Sequence, residues 1–134
     1  MKRCVIQVGV LILFLLPVYS AFRPDGPRTF EITAGKDNTF KVVGLKQPTI
    51  TVKAGEVIRL KITAYKGTYW QKDGTVHSFT INALKDQGWD LRLKEGTQEF
   101  TLVAPSELGE YVVECTVMCG KGHDDMKMKM VVIP

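Results

Sequence analysis

The run Thr49-Ile50-Thr51-Val52-Lys53-Ala54-Gly55-Glu56-Val57-Ile58-Arg59-Leu60-Lys61-Ile62-Thr63-Ala64 decides how this chain folds. Ile50 and Val52 alternate with Thr49, Thr51 and Lys53. Ile58, Leu60, Ile62 and Ala64 alternate with Val57, Arg59, Lys61 and Thr63. A period of two puts alternate side chains on one face, which is the signature of strands with one buried side. Ala54-Gly55 between the two runs is a turn signal. The same period continues downstream. His77, Phe79 and Ile81 oppose Ser78, Thr80 and Asn82; Trp89, Leu91 and Leu93 oppose Asp90, Arg92 and Lys94. Phe100 and Leu102 follow Glu95-Gly96. Tyr111, Val113 and Cys115 oppose Val112 and Glu114, and Met126, Met128, Met130 and Val132 oppose Lys127 and Lys129. About seven or eight short strands separated by turn residues predict an all-β sandwich or barrel. Apart from the N-terminus, no segment shows a helical period. Residues 65–74, with Tyr65, Tyr69 and Trp70, read as an exposed loop rich in aromatics.

The 134 residues suffice for one domain with a core. Residues 1–20 have the form of a signal peptide: Lys2 and Arg3, an apolar run from Val5 to Leu16, then Val18-Tyr19-Ser20 before a cut at Ala21. A single membrane anchor is the competing reading, because Cys4 to Phe22 approaches the roughly 20 residues that span a bilayer. Either reading places the folded part outside the cytoplasm, in the periplasm or an equivalent compartment. Residues 21–29, with Pro24, Gly26 and Pro27, read as a linker, and residues 30–134 as the domain. The formal charge of +4 includes Lys2 and Arg3, so the mature chain is only mildly basic. No cluster of Lys and Arg interleaved with aromatics supports nucleic-acid binding.

The chemistry-bearing stretch is Cys115-Thr116-Val117-Met118-Cys119-Gly120-Lys121-Gly122-His123-Asp124-Asp125-Met126. Two thiols, an imidazole and a thioether are soft donors, and sulfur with imidazole suits copper better than calcium, magnesium or manganese. The other histidine, His77, starts a strand with its side chain predicted inward. It reaches the same end of the sandwich if its strand lies beside the last one. Four readings stand. Zinc would use His77, Cys115, Cys119 and His123 and leave Met126 without a role. A mononuclear blue-copper site would use His77, Cys119, His123 and Met126 and leave Cys115 spare. A copper carrier would draw on the Met126–Met128–Met130 stripe, although Met128 and Met130 read first as core. A metal-free interaction module would pair Cys115 with Cys119 as a disulfide. Cys4 leaves with the signal peptide.

Val76-His77-Ser78-Phe79-Thr80-Ile81, Gly109 to Cys115 and the loop to Met126 together resemble the CuA domain of cupredoxins. That domain occurs in subunit II of haem-copper oxidases and at the C-terminus of nitrous oxide reductase. The resemblance covers residues 48–133 and includes Ile50-Thr51-Val52-Lys53-Ala54-Gly55-Glu56. It implies a cupredoxin-like Greek-key β-sandwich or barrel and a binuclear copper centre for one-electron transfer rather than an enzyme. It further implies that Cys115 and Cys119 bridge two copper ions and that His77 and His123 bind one each. Met126 and the backbone carbonyl of Val117 would be the weak axial ligands. Many subunit II chains carry glutamate where Val117 stands and two transmembrane helices before the domain, and this chain departs from both. The implied partner is a redox protein such as a cytochrome or a terminal oxidase or reductase. Trp70, Tyr69 and Trp89 are candidate docking aromatics, and the membrane is involved only if the N-terminal segment is retained.

Overall fold

The structure, a computed structural model, describes residues 26–134. The signal peptide or anchor expected over residues 1–20, and residues 21–25 of the linker, lie outside the described residues. The alternating sequence folds into nine strands among the described residues: β1 (Arg28–Ala34), β2 (Phe40–Val42), β3 (Thr49–Lys53), β4 (Val57–Ala64), β5 (Thr75–Thr80), β6 (Asp90–Lys94), β7 (Gly96–Val103), β8 (Gly109–Glu114) and β9 (Lys127–Ile133). In β4 the apolar parity turns inward, with Ile58, Leu60 and Ile62 fully buried and Arg59 exposed. Each such aliphatic side chain contributes about 1.5–3 kcal/mol by leaving water. The turn at Ala54-Gly55 is made with Gly55 at φ 69°, a conformation glycine adopts without steric penalty.

The strands form two sheets, β2-β1-β4-β7 and β3-β9-β8-β5-β6. β1 runs parallel to β4 along its length, from Arg28 opposite Ile58 to Ala34 opposite Ala64, and β3 runs parallel to β9. The remaining pairs are antiparallel. Ile32, Ile58, Leu60 and Ile62 from one sheet and Ile50, Phe79, Leu93 and Met130 from the other fill the space between them. Met128 and Met130 are buried in the core, and Met126, at the mouth of the loop, is buried as well.

Four details refine the sequence-based reading. β5 lies beside β8 rather than beside the final strand, and β8 separates the two. His77 reaches the Cys115–Met126 loop, because Cys115 follows directly on β8, where Thr80 faces Glu114. A short 3₁₀ helix, Asn82–Gln87, fills the β5–β6 connection and ends at Gly88 with φ 92°; six residues are too few to display a helical period. Trp89 is not a surface aromatic: it is fully buried, and its Nε1–H donates to the Val103 carbonyl at 3.1 Å. β1 also takes in Arg28 and Thr29, which the expectation assigns to the linker. Among the described residues no helix is long and apolar enough to cross a membrane.

Candidate metal centre

Cys115 follows the end of β8 and Met126 precedes β9, so the intervening loop is tethered at both ends by paired strands. The Cys115 N–H donates to the Met126 carbonyl at 3.2 Å and closes its base. Within the loop the His123 N–H bonds to the Gly120 carbonyl and the Met126 N–H to the His123 carbonyl, each at 3.1 Å. Gly120 and Gly122 sit at φ 126° and 89°. Gly120 is also hemmed in: an added Cβ would lie 3.1 Å from Cβ of Thr68.

This backbone turns the donors inward. Cys119 Sγ lies 3.9 Å from Cys115 Sγ, 3.5 Å from His123 Nδ1 and 3.9 Å from Met126 Sδ. Cys115 Sγ lies 3.3 Å from the Val117 carbonyl oxygen and accepts the Ser78 N–H at 3.4 Å. Donor atoms of His77, Cys115 and Cys119 fall within 4.8 Å of one another. All six residues singled out in the sequence therefore meet at one end of the sandwich. The two cysteines are free thiols. Cys119, His77 and Met126 are fully buried, whereas His123 is half-buried. An open groove lined by Glu114, Cys115, Thr116, His123, Asp124 and Lys127 reaches the cluster from outside.

His77 supplies the test of fit. Its Nε2 lies 2.8 Å from the Tyr65 carbonyl, which can only accept, so Nε2 carries the proton. Nδ1 is then a bare lone pair, and it is buried without any hydrogen-bond partner. Burial holds the His77 pKa below its ordinary value, with the Tyr65 and Gly35 carbonyls acting in the opposite sense. A neutral imidazole with one nitrogen proton-donating to a carbonyl and the other unpartnered is the form that ligates a metal. Burial, with the Cys115 thiol beside it, pushes the Cys119 thiol up to about 12. The metal-free site thus holds protons that a metal would displace. The donor set fits a soft ion such as copper.

The surrounding hydrogen bonds were not marked by any donor motif. Ser78 Oγ accepts the Thr116 N–H at 2.8 Å, pairs with Thr116 Oγ1 at 2.9 Å and accepts from Thr80 Oγ1 at 3.0 Å. Thr80 Oγ1 also lies 2.8 Å from Asp90 Oδ1. Ser78 and Thr80 occupy the polar parity of β5, yet both are fully buried. A serine and a threonine on a strand next to a candidate ligand histidine were the available signal. The aromatic loop is wired in as well: Tyr65 holds His77, and the Tyr69 N–H donates to the Cys119 carbonyl at 3.2 Å. Tyr69 and Trp70 remain exposed, at 59% and 51%. Lys66 Nζ lies 3.8 Å from the centroid of the Trp70 ring.

No protein-family model matches the chain. No curated protein matches it in sequence. Solved structures do match in shape. The periplasmic domain of subunit II of cytochrome oxidase (CoxB) of Bradyrhizobium japonicum superposes with a TM-score of 0.53 at 19% identity, over 79% of this chain and 83% of that one. Auracyanin B superposes with a TM-score of 0.53 at 20% identity, over 82% of this chain and 92% of that one. The fold is that of a cupredoxin. A chain of a haem-copper terminal oxidase dimer matches this chain with a TM-score of 0.58 at 19% identity, over 98% of this chain and 78% of that one.

Proposed function

We propose that this cupredoxin domain is an exported copper protein whose binuclear CuA-type centre transfers single electrons. The observation that carries the reading is that both cysteine sulfurs, not one, face the cluster. Cys115 Sγ is 3.9 Å from Cys119 Sγ and receives an amide N–H from Ser78. A spare thiol would need neither. His77, Cys115, Cys119, His123, Met126 and the Val117 carbonyl would hold the copper. Bound there, two copper ions supply a one-electron couple. The chain's own part is to hold the donors still and dry. β5 fixes His77, the strand-tethered loop fixes the rest, and burial of Cys119 and Met126 keeps water from them. A site that changes little between redox states lowers the barrier to transfer. Zinc is disfavoured because it gives no role to the thioether of Met126, which reaches Cys119 Sγ at 3.9 Å.

One observation favours a second reading. Cys119 alone touches both His123 and Met126, and this is the pattern of a mononuclear blue site using His77, Cys119, His123 and Met126. Auracyanin A, described as a blue copper protein, superposes with a TM-score of 0.51 at 21% identity. The partner would be a cytochrome or a terminal oxidase or reductase, met at the exposed Tyr69 and Trp70. CoxB has been captured in a mixed disulfide with thioredoxin-like TlpA. A reductant of that class would keep Cys115 and Cys119 ready for metal in an oxidising compartment. The deciding experiment is to load the protein with copper under reducing conditions, count the metal and record its electron paramagnetic resonance spectrum. Two coppers per chain and a many-line hyperfine pattern would carry the binuclear reading. One copper and four lines would replace it with the blue site. A silent Cu(I) form that gives its metal up readily would point to a carrier, and no copper at all would end the metal reading.

A further inference from the structure

The turn between β1 and β2 belongs to the sheet that carries no donor, yet it reaches across to the ligand loop. Hydrogen bonds from Gly35 N–H to the Thr39 carbonyl (2.9 Å) and from Asn38 N–H to the Gly35 carbonyl (3.0 Å) close it. Asn38 stands at its tip with φ 57°, the one described residue other than glycine at positive φ. Its side chain is 3% exposed. Nδ2 donates to the Lys121 carbonyl at 2.6 Å, while Oδ1 is buried with no partner. The three backbones that meet there are packed tightly. An added Cβ on Gly67 would lie 2.9 Å from Asn38 Oδ1 and 2.5 Å from the Cys119 carbonyl, and one on Gly120 would lie 3.3 Å from Asn38 Nδ2.

Asn38 thus combines two unfavourable features, a left-handed backbone without glycine and a half-satisfied buried amide. The turn itself requires neither, since glycine would form it with less strain. What the side chain adds is the bond to Lys121, and Lys121 lies between Gly120 and Gly122 just before His123. Those two glycines give the ligand loop its freest backbone. We infer that Asn38 is a positioning residue, its amide clamping the Gly120–Gly122 segment and so setting where the His123 imidazole stands relative to Cys119. The inference rests on the metal-centre reading above.

Asn38→Gly separates the backbone from the amide, because it keeps the left-handed turn and removes the side chain. Asn38→Asp keeps the shape and replaces the donor by an acceptor. Two readouts apply to each: amide hydrogen exchange of the metal-free protein, and the rate at which the copper-loaded protein yields metal to a chelator. Both variants are expected to speed exchange at His123 and Met126 about tenfold or more, with Ile62 in β4 unchanged, and to release copper about tenfold faster. Unchanged loop exchange in both variants would overturn the inference. So would an equal acceleration at Ile62, which would mean general loosening, or faster loop exchange with copper release left as in the wild type. Wild-type protein that binds no copper would remove the metal reading, and the exchange comparison would still decide whether Asn38 clamps the loop.

Discussion

His77 and His123 approach the Cys119 sulfur from opposite kinds of support. His77 is fully buried in β5, a strand whose six residues are all buried, and its ring is pinned to the Tyr65 carbonyl. His123 sits half-buried in a three-residue 3₁₀ turn between two glycines and Met126, beside an open groove. One side of the centre is therefore set by sheet pairing and core packing. The other is set by a few loop hydrogen bonds and by what leans on the loop. Local stability follows the density of buried contacts, so local opening of the cluster is expected first on the His123 side.

Substituting the two histidines is the strongest way to break this contrast. His77→Ala should weaken copper binding beyond the roughly 10–100-fold loss typical of an outer partner. It should also lower the melting temperature of the metal-free protein, since the Tyr65 carbonyl loses its donor. His123→Ala should disturb the copper signal while leaving metal-free melting nearly unchanged. Titration with copper and thermal melts, run on both variants, would show equal melting losses if the contrast is mistaken. Next in size is Ile62→Ala in β4, a cavity worth about 2–5 kcal/mol. Chemical denaturation should register that loss, while the hyperfine pattern of the folded, copper-loaded variant stays as in the wild type.

Ser78→Ala acts on the strand side itself. It strands the Thr116 N–H, while the Thr80 hydroxyl keeps Asp90, and about 1–3 kcal/mol should be lost. The same variant should alter the copper signal, which separates it from Ile62→Ala in one spectrum. The smallest effect lies far from the centre. The Arg28 guanidinium hydrogen-bonds Glu56 and holds its carboxyl at about 2, below the ordinary 4.5. A depressed carboxylate pKa stabilises the fold above its unfolded value and loses that contribution as pH falls through the folded one. The contribution is therefore whole at neutral pH and fades between about 4.5 and 2. Arg28 is 54% exposed on its side chain, so screening keeps the effect below about 1 kcal/mol. Acid denaturation of Glu56→Gln should be shallower over that range, with the copper signal at neutral pH unaffected.

Strand positions and donor residues were legible because both are local properties. A period of two over Val57–Ala64 needs no knowledge of neighbours, and neither does the spacing from Cys115 to Met126. What was not legible depended on packing between distant segments. Parity alone left open which strand would adjoin β5; it is β8 and not β9. The polar parity of β5 looked like a solvent face, but Thr116 and Asp90 cover Ser78 and Thr80. Trp89 shares the inward parity of Leu91 and Leu93, and that alternation was a better guide than its aromatic character. Asn38 carries no mark in the sequence beyond being a turn residue, since its importance comes from a carbonyl far along the chain.

The parallel pairing of β3 with β9 also bears on when the centre comes into being. β9 immediately follows Met126 and must find β3, whose partners Thr49 and Lys129 are far apart in sequence. Contacts so distant form late in folding, after nearer segments have collapsed. Until they form, the β8–β9 hairpin that carries the Cys115–Met126 loop lacks its outer neighbour and is flanked by β5 alone. On the proposed reading, tight metal capture is thereby tied to a finished fold: a half-folded molecule has a loop of thiols but no rigid site.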